Sequence, residues 1–474
     1  MSNTSQASAR INSLLDENSF VEIGGMVTAR ATDFNMDPKA APTDGVITGY
    51  GLIGGSLVYV YSQDASVMGG SIGEMHAKKI INLYDLAMKT GAPVIGLIDS
   101  TGLRLLEATD ALAAFGRIYK RQSMASGVIP QITAIFGSCG GGLALFPSMS
   151  DFTFIETDKG KMFVNSPNAV EGNYAEKLDT SAAAFRSSEC GDVDVVADAA
   201  SIYDKIRTLV MMLPENNEEN GAYEECDDDL NRLCTDLSAC YKDASVALSR
   251  IADGQDFFEV KAEYAKEMVT GLLRLNGITV GAVANRTEKY DSEGKVAEKF
   301  DAVLTPAGCA KAADFINFCD AFDIPIITLT DVSGFETTMC AEKKLSKAAA
   351  KLAYAFANAT VPKVNVVTGK AFGTPYVIMN SKALGADMSF AWDTAQIGMM
   401  DADAAAKLLF EKEDNKAELA ASYKEMQTSV ESAARRGYVD TIIKAEETRK
   451  YVIGALEMLF TKREERPSKK HGAI

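Results

Sequence analysis

The chain of 474 residues repeats itself at half its length, and this limits the available folds more than any single motif. Phe20-Val21-Glu22-Ile23 recurs as Phe257-Phe258-Glu259-Val260. Gly49 to Gly55 is echoed by Thr270 to Gly277, and both read as strand, tight turn, strand. Ala92 to Ser100 matches Ile324 to Val332, a short apolar run after a proline, as a buried strand requires. Ile129-Pro130-Gln131-Ile132, leading to Gly137, Gly141 and Gly142, lines up with Val361-Pro362-Lys363-Val364, leading to Gly369, Gly373 and Thr374. Four matches in one order exceed what chance resemblance between strands supplies. Helical patterns lie between them: Ile80, Leu83, Tyr84 and Ala87 share a helix face, and Lys347 to Ala357 forms another helix. Alternating strand and helix in each half predicts two α/β domains, 1–240 and 241–474, joined through the polar stretch Pro214 to Asp243. The stretch from about Asp414 to Lys462 reads as long helices.

Composition removes several function classes. With 48 basic and 65 acidic residues the net charge is −17, which argues against nucleic acid as a partner. No apolar run is long enough for a membrane span, and the first residues lack the apolar core of a signal peptide. Eight cysteines at irregular spacing, with no C-x-x-C pair, predict reduced thiols, a cytoplasmic location and no metal. Only His76 and His471 are histidines, so a Ser-His-Asp triad is not expected.

Phe136-Gly137-Ser138-Cys139-Gly140-Gly141-Gly142 follows a strand. Consecutive glycines let backbone N–H groups approach a ligand, and at a helix start those groups stabilise an oxyanion such as a thioester enolate. The simpler alternative is a tight strand–helix contact. A related segment runs from Gly369 to Pro375. Lys78, Lys79, Arg104, Arg117, Lys120 and Arg121 offer a basic patch for a polyphosphate, or else a solvated helix face. His76 reads as a base or as a structural hydrogen-bond partner at a helix start. Ala87-Met88-Lys89-Thr90 is not read as a biotin attachment site, because Lys89 ends an amphipathic helix rather than sitting on a hairpin turn.

Taken together, these residues resemble the carboxyltransferase subunits of biotin-dependent acyl-CoA carboxylases and decarboxylases. The resemblance is carried by Asp44-Gly45-Val46-Ile47-Thr48-Gly49, Ser62-Gln63-Asp64, Gly69 to Lys79, Asp99-Ser100-Thr101-Gly102-Leu103-Arg104, Gly141-Gly142 and Asp151-Phe152. In the second half it is carried by Phe318 to Phe322, Ala371-Phe372-Gly373, Met379 to Lys382 and Lys469-Lys470-His471-Gly472. It implies two tandem crotonase-like (ClpP/crotonase) domains, acyl-CoA-binding first and biotin-binding second. It also implies carboxyl transfer between carboxybiotin on a separate carrier protein and a short acyl-CoA. The expected pairs are propionyl-CoA/methylmalonyl-CoA and acetyl-CoA/malonyl-CoA. In that chemistry the biotin ureido anion takes the α-proton, and the thioester enolate attacks carbon dioxide, so no histidine base is needed.

Carried over by position, Gly141 and Gly142 hold the enolate oxygen, and Gly373, Thr374 and Pro375 form the biotin-side hole. Val377 lies where the family tunes acyl size, and Lys78, Lys79 and Arg104 of the basic patch are the candidates for binding the CoA phosphates. Implied partners are a biotin carrier protein with a biotin carboxylase, or a membrane decarboxylase subunit. The implied assembly is a homohexamer whose sites join the first half of one subunit to the second half of another. Two further readings are the α subunit of a sodium-pumping acyl-CoA decarboxylase and a non-catalytic CoA-binding paralogue. The chain departs from the family pattern at Gly373-Thr374-Pro375, where Gly-Gly-Ala is usual, and proline has no N–H to donate. It departs again at Gly334-Phe335-Glu336, at Lys347-Ala348-Ala349-Ala350 and at Thr101-Gly102-Leu103.

Overall fold

A computed structural model describes residues 5–30, 41–219, 223–411, 413 and 415–467. The chain divides into two compact units, residues 1–222 and 223–474. The first is built on strands β1 (Val21–Ile23), β2 (Val46–Ile53), β3 (Ser56–Gln63), β4 (Val94–Ser100), β5 (Gln131–Gly140), β6 (Phe152–Glu156), β7 (Lys161–Phe163) and β8 (Val195–Ala197). They form one sheet in the order β1-β2-β3-β4-β5-β6-β8, with β7 paired to the far end of β5. β1 to β3 are antiparallel, and from β3 onward each pairing is parallel. The hairpin between β2 and β3 turns on Gly54 and Gly55, both with positive φ. Parallel neighbours need crossovers, supplied by helices Glu74–Thr90 and Ala108–Ala125. The first helix buries Ile80, Leu83, Tyr84 and Ala87 in the core, as the sequence spacing predicts.

The second unit repeats this plan. Its strands are β9 (Phe257–Val260), β10 (Met268–Leu275), β11 (Ile278–Asn285), a surface hairpin of β12 (Glu288–Tyr290) and β13 (Val296–Lys299), β14 (Val303–Leu304), β15 (Ile326–Val332), β16 (Gly334–Phe335), β17 (Lys363–Phe372), β18 (Met388–Trp392), β19 (Gln396–Gly398) and β20 (Thr441–Ile443). The main sheet runs β9-β10-β11-β15-β17-β18-β20, with β19 on the far end of β17. Its hairpin turns on Asn276 and Gly277, again both at positive φ. Helices Pro306–Ala321 and Leu345–Asn358 make the crossovers.

Two expectations need correction. Residues 223–240 belong to the second unit rather than the first: Cys234 and Leu237 are buried in its core, and Arg449, itself fully buried, donates to the Asp229 carbonyl. The C-terminal stretch is not a run of long helices. Among its described residues, helix Lys416–Tyr423 is followed by a short helix Val430–Arg435, then by β20 and by helix Thr448–Leu459. Gly437 at φ 76° ends the helical run, and Thr441-Ile442-Ile443 pairs with β18, where branched side chains fit a sheet better than a helix. Asp414 and the Lys469–Gly472 motif, including His471, lie outside the described residues.

Candidate active site

Each unit carries the same device at the end of its central strand. β5 pairs with β6 over Ile132–Ile135, then changes partner and pairs with β7 over Ser138–Gly140. β17 pairs with β18 over Val364–Val367 and with β19 over Lys370–Phe372. Gly137 and Gly369 sit at these change points. A Cβ on Gly137 would lie 2.0 Å from the Asp99 Oδ1, and one on Gly369 would lie 2.5 Å from the Asp331 Oδ1. Only glycine lets a carboxylate come this close to the strand. The two aspartates occupy the irregular positions of β4 and β15, where the register to the central strand shifts. Asp99 is held by Arg10, whose Nη2 donates to Oδ2 at 2.7 Å while its guanidinium lies 5.1 Å from the Phe136 ring centroid. Asp331 Oδ1 accepts the Lys370 N–H at 2.8 Å. Burial raises the Asp331 pKa, against that hydrogen bond and the charges of Lys370 and Lys242.

Four residues past each change point the chain enters a helical turn through a glycine at positive φ: 64° at Gly141 and 63° at Gly373. Gly141 and Gly142 open the turn Gly141–Ala144, and Gly373 and Thr374 open the helix Gly373–Ile378. First-turn N–H groups have no acceptor within their own helix, so Gly141 and Gly142 in one segment and Gly373 and Thr374 in the other are candidate backbone donors; the third position carries an N–H at Leu143 and none at Pro375. Pro375 is third in its turn and buried, a position where a missing N–H disturbs no helical hydrogen bond. The φ angle of Gly373 matches that of Gly141. The Gly142 carbonyl accepts the Tyr119 hydroxyl at 2.7 Å, which fixes the peptide on that side. Val377 is 37% exposed and lines a cavity of about 270 Å³ with Tyr376, Met399, Arg436 and Tyr438.

The basic residues separate. Lys78 is exposed on helix Glu74–Thr90. Lys79 and Arg104 are turned inward. Lys79 is 5% exposed, and its Nζ donates to the carbonyls of Thr43 and Val46. Burial lowers its pKa to about 8. Arg104 is 2% exposed, bridges Asp44 and Glu107, and donates to the Ser71 carbonyl at 2.6 Å. Arg121 pairs with Asp85, while Arg117 and Lys120 stay on the exposed face. His76 is fully buried; its Nδ1 lies 2.9 Å from the Asp44 carbonyl and its Nε2 lies 3.3 Å from the Gln63 Nε2. Burial holds its pKa well below the usual value, so it is neutral and structural. Among the described residues no cluster of potential ligands is suited to a metal ion, the cysteines are free thiols, and no helix is long and apolar enough to cross a membrane.

Sequence reading identified the glycines but not Asp99, Asp331 or Arg10 as their supports. The available signal was the constant separation of Asp99 from Asp331, Gly137 from Gly369 and Gly141 from Gly373.

Two crotonase-like units, each ending its central strand in a glycine-opened donor pair, define a class of enzymes that stabilise oxyanions with backbone N–H groups. The chain belongs to the carboxyl transferase domain family, which matches residues 3–474, and it is a carboxyltransferase. It is 40% identical over 491 residues to the propionyl-CoA carboxylase beta chain of Roseobacter denitrificans, covering 99% of this chain and 93% of that one. It is 39% identical over 495 residues to the methylmalonyl-CoA decarboxylase subunit alpha of Propionigenium modestum, covering 99% and 92%. Its fold superposes on a transcarboxylase 12S structure with hydrolysed methylmalonyl-coenzyme A bound, with a TM-score of 0.92, 36% identity, and coverage of 98% of this chain and 92% of that one. Biotin-dependent transfer and CoA thioester substrates are what this family implies.

Proposed function

We propose that the chain moves a carboxyl group between carboxybiotin on a separate carrier protein and a short acyl-CoA, with propionyl-CoA/methylmalonyl-CoA as the first pair and acetyl-CoA/malonyl-CoA as the second. The observation that carries this reading is the matched pair of donor turns, one per unit, at φ 64° and 63°. On this reading the N–H groups of Gly141 and Gly142 hold the thioester oxygen as it gains charge. Those of Gly373 and Thr374 face the biotin carbonyl oxygen. The second pair suits a biotin ring because Thr374 is exposed and Val377, on the same short helix, lines a cavity. Carboxybiotin supplies the activated carboxyl group. On this reading the biotin-side donors are Gly373 and Thr374, and Pro375 shapes the hole without donating. Lys78, exposed, remains assigned to the CoA phosphates, whereas buried Lys79 and Arg104 build the wall behind them.

We place the enzyme in the cytoplasm as a homohexamer, with sites between the first half of one subunit and the second half of another. The hexamer named for the transcarboxylase 12S structure supports that assembly. The partners are a biotin carrier and a biotin carboxylase. Near-equal identity to a carboxylase beta chain and to a decarboxylase alpha subunit keeps a sodium-pumping decarboxylase as the second reading. Neighbouring genes for a membrane pump would select it.

The test is carboxyl transfer from labelled methylmalonyl-CoA and malonyl-CoA to free biotin by the purified chain. Transfer is expected, faster from methylmalonyl-CoA. Acyl-CoA binding with no transfer from either donor would favour a non-catalytic paralogue.

A further inference from the structure

We infer that Asp99 and Asp331 are positioning residues, each fixing the backbone donor pair of its own unit by seating a carboxylate against the glycine where the central strand changes partner. The inference rests on the reading of those donor pairs as oxyanion holes. Three observations carry it. First, the contact is duplicated: aspartate, change-point glycine and positive-φ glycine keep one separation in both halves, although the surrounding residues differ. Second, the aspartate backbones are themselves pinned. Gln63 Oε1 accepts the Asp99 N–H at 3.2 Å, and Asn285 Oδ1 accepts the Asp331 N–H at 3.1 Å. Both acceptors end the preceding parallel strand, β3 or β11. Third, the carboxylates meet the chain just before the donors. Asp331 accepts from the Lys370 N–H, and only Ala371 and Phe372 separate Lys370 from Gly373.

The ladder to the outer strand is interrupted at the change point, where Gly137 and Gly369 pair with neither outer strand. In the second unit the carboxylate lodged there is the acceptor for the Lys370 N–H. Its removal leaves the Lys370 N–H unpaired and a gap behind Gly369, and the strand end is free to shift. A displacement of about 1 Å in a catalytic group costs up to ~100-fold in rate. The first unit braces its carboxylate with Arg10, and the second uses the strand's own N–H. Asparagine retains an acceptor oxygen of nearly the same shape, whereas alanine does not.

The test is steady-state transfer from methylmalonyl-CoA to free biotin with full-length Asp331→Ala, Asp331→Asn, Asp99→Ala and Asp99→Asn, alongside thermal melts. For Asp331→Ala we expect kcat to fall ~10- to ~100-fold. Its KM for biotin should rise while its KM for methylmalonyl-CoA stays within about twofold. Asp99→Ala should show the opposite KM pattern, and each asparagine variant should recover most of the loss. If Asp331→Ala does not fold, Gly369→Ala takes its place, because its Cβ meets the same carboxylate at 2.5 Å. Unchanged kcat, KM values that rise together, or asparagine no better than alanine would overturn the positioning role. A wild-type chain that binds methylmalonyl-CoA but transfers nothing overturns the carboxyltransferase reading first, and this role with it.

Discussion

A donor turn leaves little room for a side chain. A Cβ on Gly142 would sit 2.9 Å from the Tyr119 hydroxyl oxygen, and the larger valine would push Tyr119 from the carbonyl it holds. Gly142→Val is expected to cut transfer by ~100-fold or more while the oligomer persists, measured by kinetics and size-exclusion chromatography. Unchanged turnover would remove Gly142 from the mechanism. Asp151 makes a prediction about stability. It is partly buried, and desolvation raises its carboxyl pKa to about 7, against the hydrogen bond from the Gln131 N–H. A folded-state pKa above the unfolded value means the native chain binds the extra proton. The stability from this group is therefore present at low pH and is lost as pH rises from about 4 toward 7, by on the order of a few kcal/mol. Asp151→Asn should flatten that loss in urea titrations at pH 5 and pH 8, and parallel profiles for the two proteins would refute it. The identities of Lys79, Arg104 and His76 were legible as polar groups near a helix start. Their inward direction was not, because the groups they bond with come from Thr43, Asp44, Val46 and Gln63, distant in sequence.

Short elements decide whether the second unit keeps a working hole. Gly373–Ile378 is a helix of six residues with proline in its first turn. Pro375→Ala restores an N–H at a position outside the donor pair, so transfer should change by less than about threefold. A gain of tenfold or more would mean that the third N–H takes part and that the natural chain lacks a donor. The helices Glu74–Thr90 and Pro306–Ala321 show duplication of a different kind. Each places a buried lysine, Lys79 or Lys311, with its Nζ on two backbone carbonyls. Burial lowers the Lys311 pKa to about 7. Helix and strand periodicity exposed the long elements. It failed for β20, three residues long, whose identity depends on the edge offered by β18 rather than on its own sequence.

At the scale of the assembly, the proposed site takes its acyl-CoA half and its biotin half from different subunits. Gly142→Val chains mixed and reassembled with Gly373→Val chains should then regain about a quarter of wild-type transfer, since random pairing reunites two intact halves at that frequency. No recovery after verified subunit exchange would put both halves of the site in one chain. The duplication, the α/β character of each half, the order of strand and turn, and the glycines that open the donor turns were all legible in the residues alone. These follow from local period, from proline and glycine geometry, and from similarity between segments of one chain. Packing in three dimensions was needed to place residues 223–240 in the second core, to turn Lys79 and Arg104 inward, and to set Asp99 and Asp331 against the change-point glycines. Each of those outcomes depends on partners far apart along the chain. Burial and hydrogen-bond satisfaction, which no local pattern encodes, select among the directions a charged side chain can take.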